Sequence, residues 1–489
     1  MTESLQSKMN RVRPPRVRIT YDVDVEGATS KRELPLIVGV LAHLSGVPAA
    51  PLPPLDDRQF VDIDRDNFDE VMASCRPRLL LDVVDVLAYP PGTTTSAEFS
   101  FSCLEDFAPL GLVRQMEGAA NLLRLRTHLT NGRVNLEGEA EGSAVRVAEI
   151  DQLLTRQANH VMQEPAFRRL EAMWRGLYFL VANSETGPGL RLRVLNVTQQ
   201  ELRDDLASAS APGQSALAKK LNTKDGKDDP VSFLVGAYEV SDREGDADFL
   251  EGMASVAAAA TAPFLTSAPA EGGGPDRQSE ADSGEMPSMH PFTQWRCLGS
   301  DGSARFVALA SPEFKLRPSY DPEVYPAEGF AFREAGTSDG DAGALWGNAA
   351  FALGQRITSA FSLHGWLAAI HGDGEDSAAD RRRADAAELP SLLNAARFAQ
   401  YITVIMRDRG ASFPNVQEAS DFLNTWISQY VLLEDDAPVA VQARYPLRQA
   451  RVSVTERSGM ALGAEITLTP CFQVEGALVP VSLMIDLPG

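Results

Sequence analysis

Residues 57–72 read DRQFVDIDRDNFDEVM, and there Asp62, Asp64 and Asp66 alternate as the first three ligands of an EF-hand calcium loop do. The rest of that pattern is missing. Counting from Asp62, the sixth position, which needs glycine, is Asn67. The twelfth, which needs a bidentate glutamate, is Ala73, and alanine has nothing to ligate with. The upstream PAAPLPPLDD (48–57) is too broken by proline to supply the first helix. The spacing predicts instead a short strand, QFVDID (59–64), and Asp66 or Asn67 as N-cap of a helix over FDEVMASC (68–75). Carboxylates in that first turn complement the helix dipole.

Outward from this run, the composition is that of a globular protein. The 489 residues suffice for two or three domains, with 44% hydrophobic and 23% charged residues. A formal net charge of −22 argues against nucleic acid as a partner, because phosphate binding needs clustered Lys and Arg. Cys75, Cys103, Cys297 and Cys471 lie far apart, which suits reduced thiols rather than a disulfide frame or a zinc site. The first residues carry no apolar signal core, and no stretch reaches the roughly 20 apolar residues of a membrane helix. A cytoplasmic protein without direct membrane contact is expected.

Along the chain, residues 1–15 read as disordered and basic. RVRITYDVDVEG (16–27) alternates, with Val17, Ile19, Tyr21, Val23 and Val25 on one face of a strand. LPLIVGVLAHLSG (34–46) is apolar and ends in a glycine turn, and LGLVRQMEGAANLLRLRTHLT (110–130) predicts one amphipathic helix. A first mixed α/β unit therefore covers 16–130, followed by a Gly- and Glu-rich linker over 131–148. A larger unit covers 149–489, with helices on both sides of Pro165 and strands at 190–198 and 231–240. Flexible loops are expected at 269–289 and 372–388, one long apolar helix over 345–370, two helices around 390–409 and 416–431, and terminal strands after 450.

Chemistry is absent at the level of motifs. The six histidines show no metal-ligand spacing, and neither a GxSxG elbow, a P-loop nor a GxGxxG follows any predicted strand. The pairs Asp204/Asp205 and Asp435/Asp436 are adjacent and point apart on most backbones. No catalytic, cofactor or metal site is assigned; the pattern is that of a structural protein rather than an enzyme.

The segments do resemble a known family. RVRITYDVDVEG, RELPLIVGVLAHLSG, the run PLPPLDDRQFVDIDRDNFDEVMASCRPRL and FSCLEDFAP resemble the small (TssB-like) sheath subunit of bacterial type VI secretion systems. PAFRRLEAMWRGLYFLV, RVLNVTQQEL, LEGMASVAAAATAPFL, LWGNAAFALGQRITSAFSLHGWLAAI, ARFAQYITVIMRDRGASF, FLNTWISQYVL and ARYPLRQARVSV resemble the large (TssC-like) subunit. The motif cores are Phe60, Asp64, Asp66 and Phe68 in the first, and Trp174, Trp346, Asn348, Trp426, Arg444, Tyr445 and Pro446 in the second. The resemblance implies two subunits fused into one protomer, which fixes their stoichiometry and raises their effective concentration. It further implies an α/β (α+β mixed) protomer whose sheets are flanked by helices. Many copies would polymerise helically on a baseplate around an Hcp-like inner tube and drive that tube outward by contraction.

The resemblance also implies lacing of neighbouring copies by strand exchange, a form of β-augmentation. The candidate strands are Arg16–Val25, Glu465–Glu475 and Val479–Leu487, carrying Val17, Ile19, Tyr21, Val23, Val25, Ile466, Leu468, Val481, Leu483 and Ile485; ordinary pairing inside the chain is the other reading. Two departures stand out. The outer helices through which a ClpV-type unfoldase recycles the sheath are replaced by residues 131–148, so recycling is not expected. The family's long segment before ARFAQY is reduced to Gly372–Glu388. A non-contractile sheath, or a baseplate or adaptor component, is the alternative.

Overall fold

The computed structural model describes residues 18–25, 28–87, 90, 92–131, 140–222, 228–240, 245–267, 303–310, 314–320, 329–335, 344–352, 360–362, 375–409, 412–434, 437–442, 444–456, 462–471 and 480–488. The first region contributes β1 (Tyr21–Val25), β2 (Ala28–Arg32), β3 (Leu36–Ala42), β4 (Val61–Ile63), α1 (Phe68–Cys75), β5 (Arg78–Val84), β6 (Thr94–Ser100), α2 (Pro109–Gln115) and α3 (Glu117–Thr130). Then come α4 (Ala140–Met162), α5 (Pro165–Ala182), β7 (Leu190–Asn196), α6 (Gln199–Ser208), α7 (Ala216–Leu221), β8 (Phe233–Glu239), α8 (Asp246–Ala259) and β9 (Phe264–Ser267). The remainder holds β10 (Val307–Ala310), β11 (Phe314–Arg317), β12 (Leu345–Gly347), β13 (Ala360–Ser362), α9 (Glu375–Arg409), α10 (Val416–Ser428), β14 (Leu447–Glu456), β15 (Leu462–Pro470) and β16 (Val481–Leu487).

A mixed seven-stranded sheet, ordered β13-β10-β9-β8-β3-β7-β4, organises these elements. Within it, β3 pairs in parallel with β7 on one side and β8 on the other. The LIVGVLA sequence explains the place: an unbroken apolar run is what a strand covered on both faces requires. Ile37 and Leu41 face a core shared with α8, α9 and the C-terminal sheet, whereas Val38, Val40 and Ala42 face one shared with α1, β5 and α5. After β3 the chain turns at Gly46, whose φ is +59° and whose added Cβ would stand 2.4 Å from the Arg78 carbonyl. Only glycine permits that approach.

The two sequence regions therefore do not fold as separate bodies. β3 and β4, from the first, are strands of a sheet otherwise built by the second. Trp174 of α5 is wholly buried, donates to the Leu44 carbonyl at 3.0 Å and meets the Phe68 ring edge-on at 5.9 Å. Arg58 pairs with Glu201, which also closes the capping box with Thr198 at the start of α6. Burial by itself raises the Glu201 carboxyl, but the Arg58 guanidinium and the Thr198 N–H and hydroxyl outweigh it and hold the pKa at about 2.

Several expectations are corrected. Residues 140–148, read as linker, are the first turns of α4, because Ala, Glu and Arg favour helix and Arg126 of α3 pairs with Asp151 alongside; residues 132–139 lie outside the described residues. Of residues 372–388, read as a flexible loop, 375–388 begin α9 for the same reason of propensity, and the helix continues through Pro390; residues 372–374 lie outside the described residues. The predicted helix over 110–130 is two helices, broken at Met116 (φ −101°, ψ 115°), so that α2 follows the β6 edge while α3 turns to pair with α4. The predicted helix over 345–370 is absent where described. There Leu345–Gly347 pairs with β11, Ala360–Ser362 pairs with β10, and between them Phe351 is buried against Gly176. Tertiary burial overrides local helix preference at that point. The 269–289 loop lies outside the described residues.

A buried ion cluster ties β11 to α5. Arg317 bonds Glu171 at 2.7 and 3.0 Å and Glu334 at 2.8 Å, and all three side chains are almost fully enclosed. Beyond it, residues 331–335 run along α4, whose side chains bond their backbone. Thr155 donates to the Ala331 carbonyl at 3.0 Å and Asn159 to the Arg333 carbonyl at 3.0 Å. Asn159 also accepts from Ala335 N–H at 2.6 Å.

Two predictions follow from this architecture. Residues 1–131 and 140–489, made as separate chains, each lack part of the central sheet. Neither should show a cooperative melt alone, and co-expression should give a one-to-one complex by size exclusion. Glu201, with its folded pKa of about 2 against roughly 4.3 unfolded, stabilises the fold above the unfolded value. That contribution is lost as pH falls toward 2. Glu201→Gln should therefore lower the melting temperature at neutral pH and leave a flatter acid limb than wild type in thermal melts.

Candidate assembly interface

The C-terminal three strands form an antiparallel sheet in the order β14-β15-β16. Strict alternation sets its faces: Val481, Leu483, Ile485 and Leu487 are buried, and Ser482, Met484 and Asp486 point outward. Ile466 and Leu468 share the buried side, packed with α9 and α10 in one core. Of these, Ile466, Leu468, Val481, Leu483 and Ile485, expected at a boundary between copies, therefore place their side chains inside their own chain. What the sheet offers outward is main chain at its edges.

The two edges differ. On β14, Asn424 of α10 accepts from Val452 N–H at 3.0 Å and donates to the Val452 carbonyl at 2.6 Å, and Ser420 accepts from Val454 N–H at 2.9 Å. A side-chain amide there copies a strand's hydrogen bonds. Leu447 at the same edge exchanges bonds with Tyr430 and Leu432. On β16, no strand pairs with the outer edge among the described residues. The Thr467 and Ser482 hydroxyls approach to 3.1 Å across β15 and β16, as side chains do at a non-hydrogen-bonded pair. The N–H and C=O of Ser482, and by alternation those of Met484, hence point to the open edge. Met484 is 60% exposed.

The N-terminal candidate strand is bound within the chain. β1 pairs only with β2 among the described residues. Ile19 and Tyr21 are buried, Val23 packs half-buried on the same core, and Val17 and the Val25 side chain lie outside the described residues. Aromatic side chains from α9 and α10 read the backbone just before β1. The Tyr401 hydroxyl donates to the Ile19 carbonyl at 2.6 Å, and Trp426 donates to the Thr20 carbonyl at 2.8 Å. The Tyr430 hydroxyl accepts from Thr20 N–H at 2.8 Å. Tyr21 donates to Asp408 at 2.7 Å, and burial together with that carboxylate keeps its phenol protonated far above the ordinary range.

The motif residues are mostly architectural. Phe60 closes over Gly39, where an added Cβ would stand 3.3 Å from its ring and 2.9 Å from Leu234. Asn67 is the N-cap position of α1, yet its side chain does not cap. It accepts from Asp64 N–H at 2.9 Å, while Asp64 accepts from the N–H groups of Asp66 and Asn67 at 2.9 and 3.0 Å. Asp62 bonds Arg191 and Arg193 of β7 at 2.5 and 2.9 Å, so the acidic run stitches β4 to the sheet. Asn348 donates to the Tyr238 carbonyl at 3.0 Å, Lys315 lies 5.8 Å from the Trp346 ring centre, and Arg444 and Tyr445 turn back on the Val441 carbonyl before Pro446 accepts from Cys471. The sequence carries no signal for the covering of β14, because that function rests on Asn424 and Ser420, ordinary residues of an amphipathic helix.

Comparison with known families covers nearly the whole chain. The family described as type VI secretion system, VipA, VC_A0107 or Hcp2 matches residues 9–163. The EvpB/VC_A0108 tail sheath N-terminal domain matches 144–407, and the EvpB/VC_A0108 tail sheath gpW/gp25-like domain matches 378–487. Among curated proteins, the type VI secretion system sheath protein TssC1 of Pseudomonas aeruginosa is 28% identical over 483 residues, covering 81% of this chain and 96% of the relative. The sheath protein TssB1 of the same organism is 38% identical over 138 residues, covering 28% of this chain and 79% of the relative. The first two family matches overlap on residues 144–163, all but the last of them in α4. Small-subunit and large-subunit sequence thus run through one helix, and the chain belongs to the type VI secretion tail-sheath family, as a fusion of its TssB-like and TssC-like subunits.

Proposed function

We propose that this chain is the structural protomer of a contractile sheath, polymerising helically around an Hcp-like inner tube on a baseplate and driving the tube outward. It acts in the cytoplasm, performs no catalysis, and contracts by releasing lattice strain as copies repack. Copies are laced at the β16 edge, which accepts a strand from a second copy. The observation that carries this is the contrast between edges: β14 is closed by its own helix, whereas no strand pairs with the outer edge of β16 among the described residues. An uncovered edge is a liability in a monomer and a docking site in a polymer. A ClpV-type unfoldase does not recycle this sheath. In support, the 483-residue alignment to TssC1 engages only 81% of this chain, so the relative carries segments that are missing here.

Negative-stain electron microscopy of the chain, alone and with an inner-tube protein, tests the reading. Hollow helical tubes of two diameters are expected; tubes of one diameter remove contraction, and monomers or small closed rings favour the adaptor alternative. Disassembly of the tubes by a ClpV-type ATPase would remove the recycling claim. Met484→Pro deletes an N–H that faces the open edge and spares the β15 ladder, so it should abolish tubes without lowering the melting temperature by more than a few degrees. Asn424→Ala strips the β14 edge of its partner; it should cost about 1–3 kcal/mol in denaturant unfolding while tubes still form.

A further inference from the structure

The β16 edge is not bare. Arg305, in the 3-10 turn Ser303–Phe306 that precedes β10, donates from its guanidinium to the Ser482 carbonyl at 2.5 Å. That carbonyl is the one the alternation of β16 turns toward the open edge. The guanidinium is anchored rather than loose: Ala304 and Phe306 on either side are buried, and its carbon lies 5.8 Å from the Phe306 ring centre.

We propose that Arg305 is a displaceable guard of the β16 edge, occupying the Ser482 carbonyl until an incoming strand from a second copy takes that bond over. The inference rests on the reading of β16 as the acceptor edge. A strand added antiparallel lies about 4.8 Å from β16 and brings its own N–H to the outward carbonyls. The Arg305 guanidinium and an incoming strand's N–H therefore compete for the Ser482 carbonyl. Charged side chains blunt exposed edges in this way. Because a guanidinium stays charged at every working pH, the guard does not switch with acidity; it yields to competition. A lone encounter of two copies offers one strand against the guard and fails most often. At a growing tube end, contacts with several copies add to the strand's bonds, and displacement follows. The guard therefore raises the threshold for starting a tube more than it slows growth.

Assembly of the purified full chain from monomer, followed by light scattering across concentrations and with or without preformed seeds, tests this. Arg305→Ala should shorten the unseeded lag and lower the threshold concentration about fivefold, the equivalent of one net hydrogen bond, with seeded growth little changed. Arg305→Gln, which keeps a neutral donor and most of the packing, should fall between. An unchanged or longer lag in both variants, at unchanged melting temperature, overturns the guard. Should Arg305→Ala melt early, Arg305→Gln decides, and a wild-type threshold in it overturns the proposal. Met484→Pro separates the two readings: if it assembles like wild type, the β16 edge is not the acceptor and both fall. If it is blocked while the Arg305 variants keep the wild-type lag, the guard alone falls.

Discussion

Strand β3 is hydrogen-bonded along both edges and buried on both faces, and its partners β7 and β8 belong to the other family region. A strand so placed can be removed only by exposing two ladders of backbone groups and both cores at once. Each unpaired buried N–H or C=O costs about 1–3 kcal/mol, so the central sheet has no stable form without it. The rest of the molecule accommodates this insertion. Trp174 on Phe68, Arg58 on Glu201 and Asp62 on the β7 arginines are bonds between the regions, clustered where β3 and β4 enter the sheet. Covalent fusion then serves the fold as much as the assembly, because it supplies β3 at an effective concentration that a separate chain must reach by binding.

Much of the sheet was legible where burial leaves a period. The strands read at 190–198 and 231–240 stand where the sequence puts them, whereas the apolar run that forms β3, buried on both faces, names no element by itself. Legibility failed where charge or small residues stood in for periodicity. EDSAADRRRADAAE looks like a solvated connector, yet alanine, glutamate and arginine are helix formers, and nothing in the sequence forbids α9 from starting there. The opposite failure occurred at LWGNAAF, where an apolar, alanine-rich run reads as helix. Its fate is decided by Gly176, whose missing side chain admits Phe351 from far along the chain. The C-terminal sheet was legible only in part. Its strands were visible, but which edge stays open depends on Asn424 reaching Val452, a relation between two elements that no spacing within either reveals.

A helical polymer needs contacts that do not close, and so needs unlike surfaces on one protomer. The two edges of the C-terminal sheet are unlike in this sense. If both edges were open, copies could pair β14 to β14 or β16 to β16 and stop as two-fold dimers. Covering β14 with α10 removes the first of those options. The docking of residues 19–21 by Tyr401, Trp426 and Tyr430 bears on the same point. It fixes the start of β1 beside α9 and α10, which also carry the sheet.

Helix α4 has a different burden. It is the element through which small-subunit and large-subunit sequence are joined, and any motion of one region relative to the other must pass through it. Its surroundings are arranged against such motion. Arg126 holds Asp151 from the α3 side, and Thr155 and Asn159 hold the backbone of residues 331–335 along the same helix. That strap ends at Glu334, clamped by Arg317, which is clamped in turn by Glu171 of α5. Buried ion pairs add little net stability against an apolar equivalent, but breaking one partner away costs several kcal/mol. They are therefore poorly suited to making a fold more stable and well suited to denying it a second arrangement. A joint of that kind makes the two regions move as one body.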